Sequence, residues 1–306
     1  MILTVTPNAA LDVTYRVARL EQGGSTRVTA VDERAGGEGV NVSRVLQGLG
    51  VDTAVSGFAG GATGRAVRTD LIVADLPDAM VGIRAETRRT VAVVDEGAGT
   101  TSVLLEPGPE VSATEWAELV VRFTGLVRSA KAVVLSGSLP PGLPVDAYAT
   151  LVRIGRAHDR PVVLDTDGEP LLAALSERPT LVKPDAGELL AATGETDPRA
   201  AISALRAAGA QSVVASMGEG GLIAVAPGEA WQAGPPSRVA GRATGAGDAA
   251  VAALAAGLAV GTPWPRMVRR AVALSAASAA VPLAGSFDAE LYGRLCRRVV
   301  PRPFAT

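Results

Sequence analysis

The sequence predicts an α/β fold: a mostly parallel central sheet with helices on both faces, carrying a small antiparallel β lid. Three observations predict it. From Ala132 onward, short β-branched runs alternate with helical stretches, and alternating βα units build parallel sheets. Residues 79–106 break that rhythm with short alternating segments and no helix between them, the pattern of antiparallel pairing. Polar clusters stand after strand after strand, where ligands bind in open α/β sheets.

Each element follows in order. Residues 2–6 are β-branched and read as a strand. Residues 12–34 mix Val, Thr and Arg around Gly23-Gly24, as an exposed hairpin does. Gly36-Gly-Glu-Gly39 opens an amphipathic helix that runs to Leu49 and is closed by Gly50. Thr53–Phe58 is a strand, and the glycine turn Gly60–Gly64 opens a helix to Asp75. Met80–Arg84, Thr90–Val94 and Thr101–Leu105 are the strands expected to pair in the lid. Ala132–Leu135, Val162–Leu164, Thr180–Val182 and Ser212–Ala215 are core strands, and Leu222–Ala226 with Ala230–Ala233 forms a hairpin. Helices are expected at 145–158, after Lys183, and at 198–208, 246–260, 266–280 and 289–298. This divides the chain into a core (1–11, 35–78 and 107–306) and a lid (12–34 and 79–106).

Composition narrows the function. The 306 residues carry a net charge of −2 with no basic run, and aromatics are only 3%. Nucleic-acid and anionic-membrane surfaces are therefore not expected. Cys296 is the single cysteine, so no internal disulfide or zinc cluster is expected, and a cytoplasmic setting fits. His158 is the single histidine and sits at a helix end, so any general base is expected to be a carboxylate.

The chemistry centres on Gly245-Ala-Gly-Asp248. Gly245 and Gly247 let backbone approach a ligand, and the free N–H groups of the following helix make an anion site. Asp248 in the first turn has two readings: an ordinary dipole residue, or a base that takes a proton from an attacking hydroxyl. No G-x-x-x-x-G-K-[ST] and no strand–GxGxxG–helix occurs, so if a nucleoside triphosphate binds, its phosphates use the glycine turn at 245–247. Lys183 is a candidate phosphate contact. Asp185 and Glu188 fit both a capping box and a Mg²⁺ pair.

Five stretches, in order, resemble the PfkB carbohydrate kinase family: Gly36–Asn41, Ser136–Gly142, Lys183–Glu188, Ser216–Gly220 and Thr244–Asp248. Asn41-Val-Ser-Arg-Val-Leu, the Ser136–Gly142 loop and Glu106-Pro-Gly-Pro109 are similar to the branch of 1-phosphofructokinases and tagatose-6-phosphate kinases. The resemblance implies a ribokinase-like three-layer α/β/α fold with a nucleotide-binding core. It implies an ATP- and Mg²⁺-dependent kinase acting on a hexose phosphate (fructose 1-phosphate, or tagatose or fructose 6-phosphate). Asp248 would be the base, with Gly245, Ala246 and Gly247 as the anion hole. Asp12, Gly37, Asn41 and Ser138 would hold the sugar, and Arg88 with Arg27 its phosphate. Lys183, Ser216, Gly218 and Gly220 would contact the nucleotide, and Asp185 and Glu188 the metal. A homodimer formed through the lid is expected.

The sequence departs from the branch at three positions. Glu38 stands where the branch commonly has Lys or a small residue. Leu105 replaces an Asn, and Asp185 replaces the Asn of the Mg²⁺ motif. Glu38 keeps open a kinase for an unphosphorylated sugar or nucleoside, and a non-catalytic sugar-phosphate-binding module stands as the non-enzyme alternative.

Overall fold

The computed structural model describes residues 1–236 and 245–305, so Ala243 and Thr244 of the glycine-turn motif lie outside the described residues. The chain begins with β1 (Ile2–Thr6), β2 (Ala10–Val17), β3 (Val28–Gly36), α1 (Glu38–Gly48), β4 (Thr53–Gly60), α2 (Gly61–Val73) and β5 (Val81–Ile83). It continues through β6 (Arg88–Asp95), β7 (Thr100–Leu105), α3 (Ala113–Val127), β8 (Ala132–Ser136), α4 (Ala147–Ala157) and β9 (Val162–Asp165). Then come α5 (Gly168–Leu175), β10 (Leu181–Val182), α6 (Ala186–Thr193), α7 (Pro198–Ala208), β11 (Val213–Ser216), β12 (Leu222–Ala226) and β13 (Glu229–Ala233). The last are α8 (Ala246–Leu258), α9 (Trp264–Ala279), α10 (Ala289–Arg298) and β14 (Arg302–Pro303).

The large sheet has ten strands in the order β14-β13-β12-β11-β10-β9-β8-β1-β4-β5. Pairings from β11 to β5 are parallel, and β12, β13 and β14 add an antiparallel edge. Continuous apolar strands such as Val133-Val-Leu135 are buried on both faces, as a parallel sheet requires. One core lies under α3, α4, α5, α6 and α7, and a second on the opposite face under α1, α8, α9 and α10. Helix α1 is pinned to the sheet by buried hydroxyls: Ser43 Oγ lies 2.8 Å from Thr4 Oγ1 and 2.9 Å from Thr53 Oγ1. Helix α8 carries Ala at most positions and is buried all round from Asp248 to Gly257, which lets α1 and α9 pack closely on it.

The lid is a four-stranded sheet in the order β3-β2-β6-β7. It keeps the two expected antiparallel hairpins, β2–β3 and β6–β7, joined along a parallel β2–β6 pairing. Its root packs on α2 through Leu11, Val13, Val67 and Leu71, a third small core.

The structure corrects the sequence reading at residues 79–87. The expected lid strand Met80–Arg84 is β5, which runs parallel to β4 with Phe58 opposite Val81. Helix α2 is thus the crossover of a βαβ unit, and Val81 and Ile83 are buried at the sheet edge, not exposed in the lid. Arg68 fixes the return, pairing with Asp78 and donating to the Met80 carbonyl at 2.9 Å. The sequence reading also gives no element to α3, α5 or β14. Helix α3 carries a legible start, since Ser112 and Glu115 form a capping box.

Candidate active site

Strand order reverses at the centre of the sheet: from β1 the chain steps to β4 on one side, then returns to β8 on the other. A crevice at the carboxyl ends of such strands is where α/β sheets bind ligands. A cleft of about 340 Å³ opens there. Thr6 ends β1 and Asn8 follows it, Gly137 and Ser138 follow β8, Asp165 ends β9, and Lys183 follows β10, and all of them line the cleft. A cavity of about 510 Å³ lies elsewhere, beside Arg178, Arg206 and Gln211, and none of the predicted site residues lines it.

Asp248 sits in the first turn of α8 and is only 7% exposed. Gly245 precedes the helix in the left-handed region at φ 83°. A side chain there would also come within 2.9 Å of Ala284 Cα, so the turn requires glycine. Gly245 and Gly247 line the cleft, and Ala246 sits between them as the first helical residue. The Asn41 side-chain amide donates to Asp248 Oδ2 at 2.9 Å. Burial, reinforced by nearby Asp165, pushes the Asp248 carboxyl up to about 7, against the opposing Asn41 hydrogen bond. Such a group is a base poised near neutrality.

Lys183 Nζ lies 3.1 Å from Asp165 Oδ1, and both residues are buried. Burial works against the ammonium, but the Asp165 charge beside it wins and holds Lys183 above its ordinary value. A Cβ on Gly247 would meet Lys183 Nζ at 3.4 Å, so this cation stands at the mouth of the α8 turn. Glu38 completes the group. Its carboxyl accepts from Ser136 Oγ at 3.1 Å, and oxygens of Glu38, Asp165 and Asp248 all lie within 4.8 Å of one another. Its side chain is open to cleft water yet walled by protein; that partial desolvation, with Asp165 and then Asp248, pushes it up to about 8.

The opposite wall comes from the lid. Asp12 on β2, Thr90 and Arg88 on β6, and Gly37 face the same cleft. Gly36 has no side chain because the Asp12 carboxyl occupies that space. Burial raises Asp12 to about 6, against a hydrogen bond from Thr90 and the charges of Arg88 and Arg34. The Arg88 guanidinium donates through Nε to the Asn8 carbonyl at 3.1 Å. Asn8 Nδ2 donates to Ser138 Oγ at 3.0 Å, joining the two walls. Thr6 Oγ1 and Asn8 Oδ1 are buried at the cleft without a hydrogen-bond partner.

The cleft thus brings together Asp12, Gly37, Asn41, Arg88, Ser138, Lys183, Glu188, Gly245, Gly247 and Asp248 from distant parts of the chain. Arg27 is exposed just before β3 and does not line the cleft. Ser216, Gly218 and Gly220 lie outside the lining, on the turn after β11. The Ser216 N–H donates to the Pro184 carbonyl at 3.0 Å, which ties that turn to the Lys183–Glu188 corner. Asp185 and Glu188 form a reciprocal capping box on α6: Glu188 N donates to Asp185 Oδ1 at 2.9 Å and Asp185 N to Glu188 Oε2 at 2.8 Å. One oxygen of each carboxylate remains outside that box, and hard oxygen donors of this kind fit Mg²⁺, which keeps most of its waters. The sequence reading passes over Thr6, Asn8 and Thr90, and gives Asp165 no role. Asp165 has a signal, an acid ending a buried strand, whereas Thr6, Asn8 and Thr90 have none that sets them apart.

The fold has counterparts in solved structures. Phosphofructokinase-2 from Escherichia coli in complex with fructose-6-phosphate is 29% identical, with a TM-score of 0.89 over 97% of this chain and 98% of that one. A possible 1-phosphofructokinase from Thermotoga maritima (22% identity, TM-score 0.86, full coverage of both chains, 100%) shares the fold. Arabidopsis thaliana ribokinase complexed with ribose and ATP (21%, TM-score 0.77, covering 97% and 98%) does as well. The family model described as pfkB family carbohydrate kinase matches residues 5–290, and the chain belongs to that family of sugar kinases, phosphotransferases with an alcohol group as acceptor.

Proposed function

We propose that the chain transfers the γ-phosphoryl group of ATP to a hydroxyl of a hexose phosphate: fructose 1-phosphate, or fructose or tagatose 6-phosphate. The observation that carries this reading is Asp248, a buried carboxylate oriented by Asn41 at the α8 turn and facing Asp12 and Arg88 across one cleft. Asp248 takes the acceptor hydroxyl's proton as the oxygen attacks phosphorus, and the bond to ADP breaks in line. The N–H groups of Gly245, Ala246 and Gly247, with Lys183, stabilise the charge on the moving phosphoryl group. Asp12, Gly37, Asn41 and Ser138 hold the sugar, with Thr6 and Asn8 supplying further unpaired polar atoms. Arg88 holds the sugar's phosphate, a task suited to a guanidinium, and Arg27 is the second candidate for that phosphate. Ser216, Gly218 and Gly220 line the nucleotide's path. Asp185 and Glu188 would hold Mg²⁺, which when bound neutralises phosphate charge.

A second reading is a kinase for an unphosphorylated sugar. Its support is electrostatic: Asp12, Glu38, Asp165, Glu188 and Asp248 line the cleft against only Arg88 and Lys183 among the described residues. A coupled ADP-release screen over the three sugar phosphates and the free sugars separates the two. Turnover with a sugar phosphate is expected; turnover confined to free sugars would replace the first reading by the second.

The same proposal includes a cytoplasmic enzyme that dimerises through the lid. No helix among the described residues is long and apolar enough to cross a membrane. Val31 and Leu104, on the outer lid strands, expose 54% and 59% of their surface, and such area is available for a second copy.

A further inference from the structure

Two acids of the cleft, Glu38 and Asp165, have no task in the reaction above, and Asp165 is already paired with Lys183. Glu38 stands one residue past Gly37, at the start of α1, and faces the α8 turn. Its surroundings are Asp165 at the end of β9, Asp248 on α8, Lys183 after β10, Arg88 on β6 and Tyr148 on α4. Three carboxylates with oxygens inside 4.8 Å cannot all carry charge in a confined cleft served by one close ammonium.

Hydrogen-bond support decides which of the three holds a proton. Asp165 has the ammonium of Lys183 at 3.1 Å. Asp248 has the amide of Asn41 at 2.9 Å. Glu38 has only the hydroxyl of Ser136, at 3.1 Å on Oε2, and no ion pair among the described residues. Its carboxylate form is the least supported of the three. Filling the cleft with a triphosphate would displace water from Glu38 and add negative charge beside it, and both effects favour the neutral acid.

We propose that Glu38 works as a carboxylic acid, with Ser136 donating to Oε2 and the Oε1 hydroxyl donating a hydrogen bond to an oxygen of the transferring phosphoryl group. This rests on the kinase reading of the cleft. Glu38 keeps its proton throughout. The acceptor's proton goes to Asp248, the new O–P bond forms, and the bond to ADP breaks. Glu38 thereby adds a donor for the developing charge without adding a cation.

The test compares wild type, Glu38→Gln and Glu38→Ala. Gln keeps a donor and cannot ionise. The expected wild-type kcat falls on the alkaline side above about 8. Glu38→Ala loses roughly 10²-fold, the usual cost of removing one such donor. Glu38→Gln recovers to within roughly tenfold of wild type and lacks the alkaline limb. A Gln variant as slow as the Ala variant, or one that keeps the limb, would overturn the proposal. Thermal melting of both variants separates loss of fold from loss of the donor. Infrared difference spectra of wild type against Glu38→Gln, with Mg²⁺ and a non-hydrolysable ATP analogue at pH about 7, give a second readout. A protonated-carboxyl carbonyl band present only in wild type is expected, and a carboxylate band alone overturns the proposal. A protein that releases no ADP with any acceptor refutes the kinase reading and with it the donor role, while the infrared result still decides whether Glu38 holds a proton.

Discussion

At the scale of single residues, the cleft is governed by burial acting on carboxylates. Burial lifts Asp248 to about 7, which suits the proposed role of base, since its charged form is populated yet basic there. The base works only when ionised, so kcat/KM is expected to fall tenfold per pH unit once the pH drops below about 7. A pH–rate profile checks this; a rate that stays flat down to about pH 5 would remove Asp248 from the role. In the proposed reaction, Arg88 would carry the selectivity for a phosphorylated acceptor. Arg88→Ala is expected to raise KM for the sugar phosphate about 10- to 100-fold, the worth of a charged hydrogen bond, and to leave any activity on free sugars unmoved. Equal losses on both substrates would place Arg88 in the scaffold instead. The cleft lining was legible at positions whose chemistry shows locally: Gly245, Gly247 and Asp248, Lys183 and Glu188, and Asn41. It was not legible where meaning comes from distant neighbours. Glu38 meets Ser136 across 98 residues of sequence, and that separation hides which groups share its proton.

At the scale of elements, end signals carried much of the information. Asp185 and Glu188 were legible as a capping box, and the structure forms it. The same pattern at Ser112 and Glu115 starts α3, where the sequence reading assigns no helix. Ser112→Ala is expected to lower stability by about 1 kcal/mol with kinetics unchanged, as chemical denaturation and turnover would measure. A neutral effect on stability would mean that α3 is held by its buried face, Leu119, Phe123 and Val127, alone. The strand β5 marks the other limit. Val-Gly-Ile is too short to show which sheet it joins, and only its pairing with Phe58 and Gly60 fixes it to the core edge. The long βα series from β8 was readable because apolar strands and amphipathic helices differ in period over many residues. Helix α8 was readable for another reason: its run of Ala and small residues has no polar face, so it had to be buried.

At the scale of the whole molecule, the fold places the cleft between the parallel sheet and the lid. The reversal of strand order at β1 and β8 sets where the cleft lies, and the lid brings Asp12 and Arg88 over it. If the lid also joins two copies, sedimentation should give a dimer for wild type and a monomer for a Val31→Asp, Leu104→Asp double variant. A wild type that stays monomeric at micromolar concentration would refute the lid interface. Chemistry and assembly can fail separately, so the central claim needs its own measurement. That claim is that Asp248 removes the acceptor's proton at the α8 turn. The direct test is ADP release by Asp248→Asn with ATP, Mg²⁺ and the best acceptor from the screen, alongside calorimetric ATP binding. The expected result is a loss of about 10³-fold or more in kcat, with ATP affinity retained. Turnover within a few-fold of wild type would contradict it.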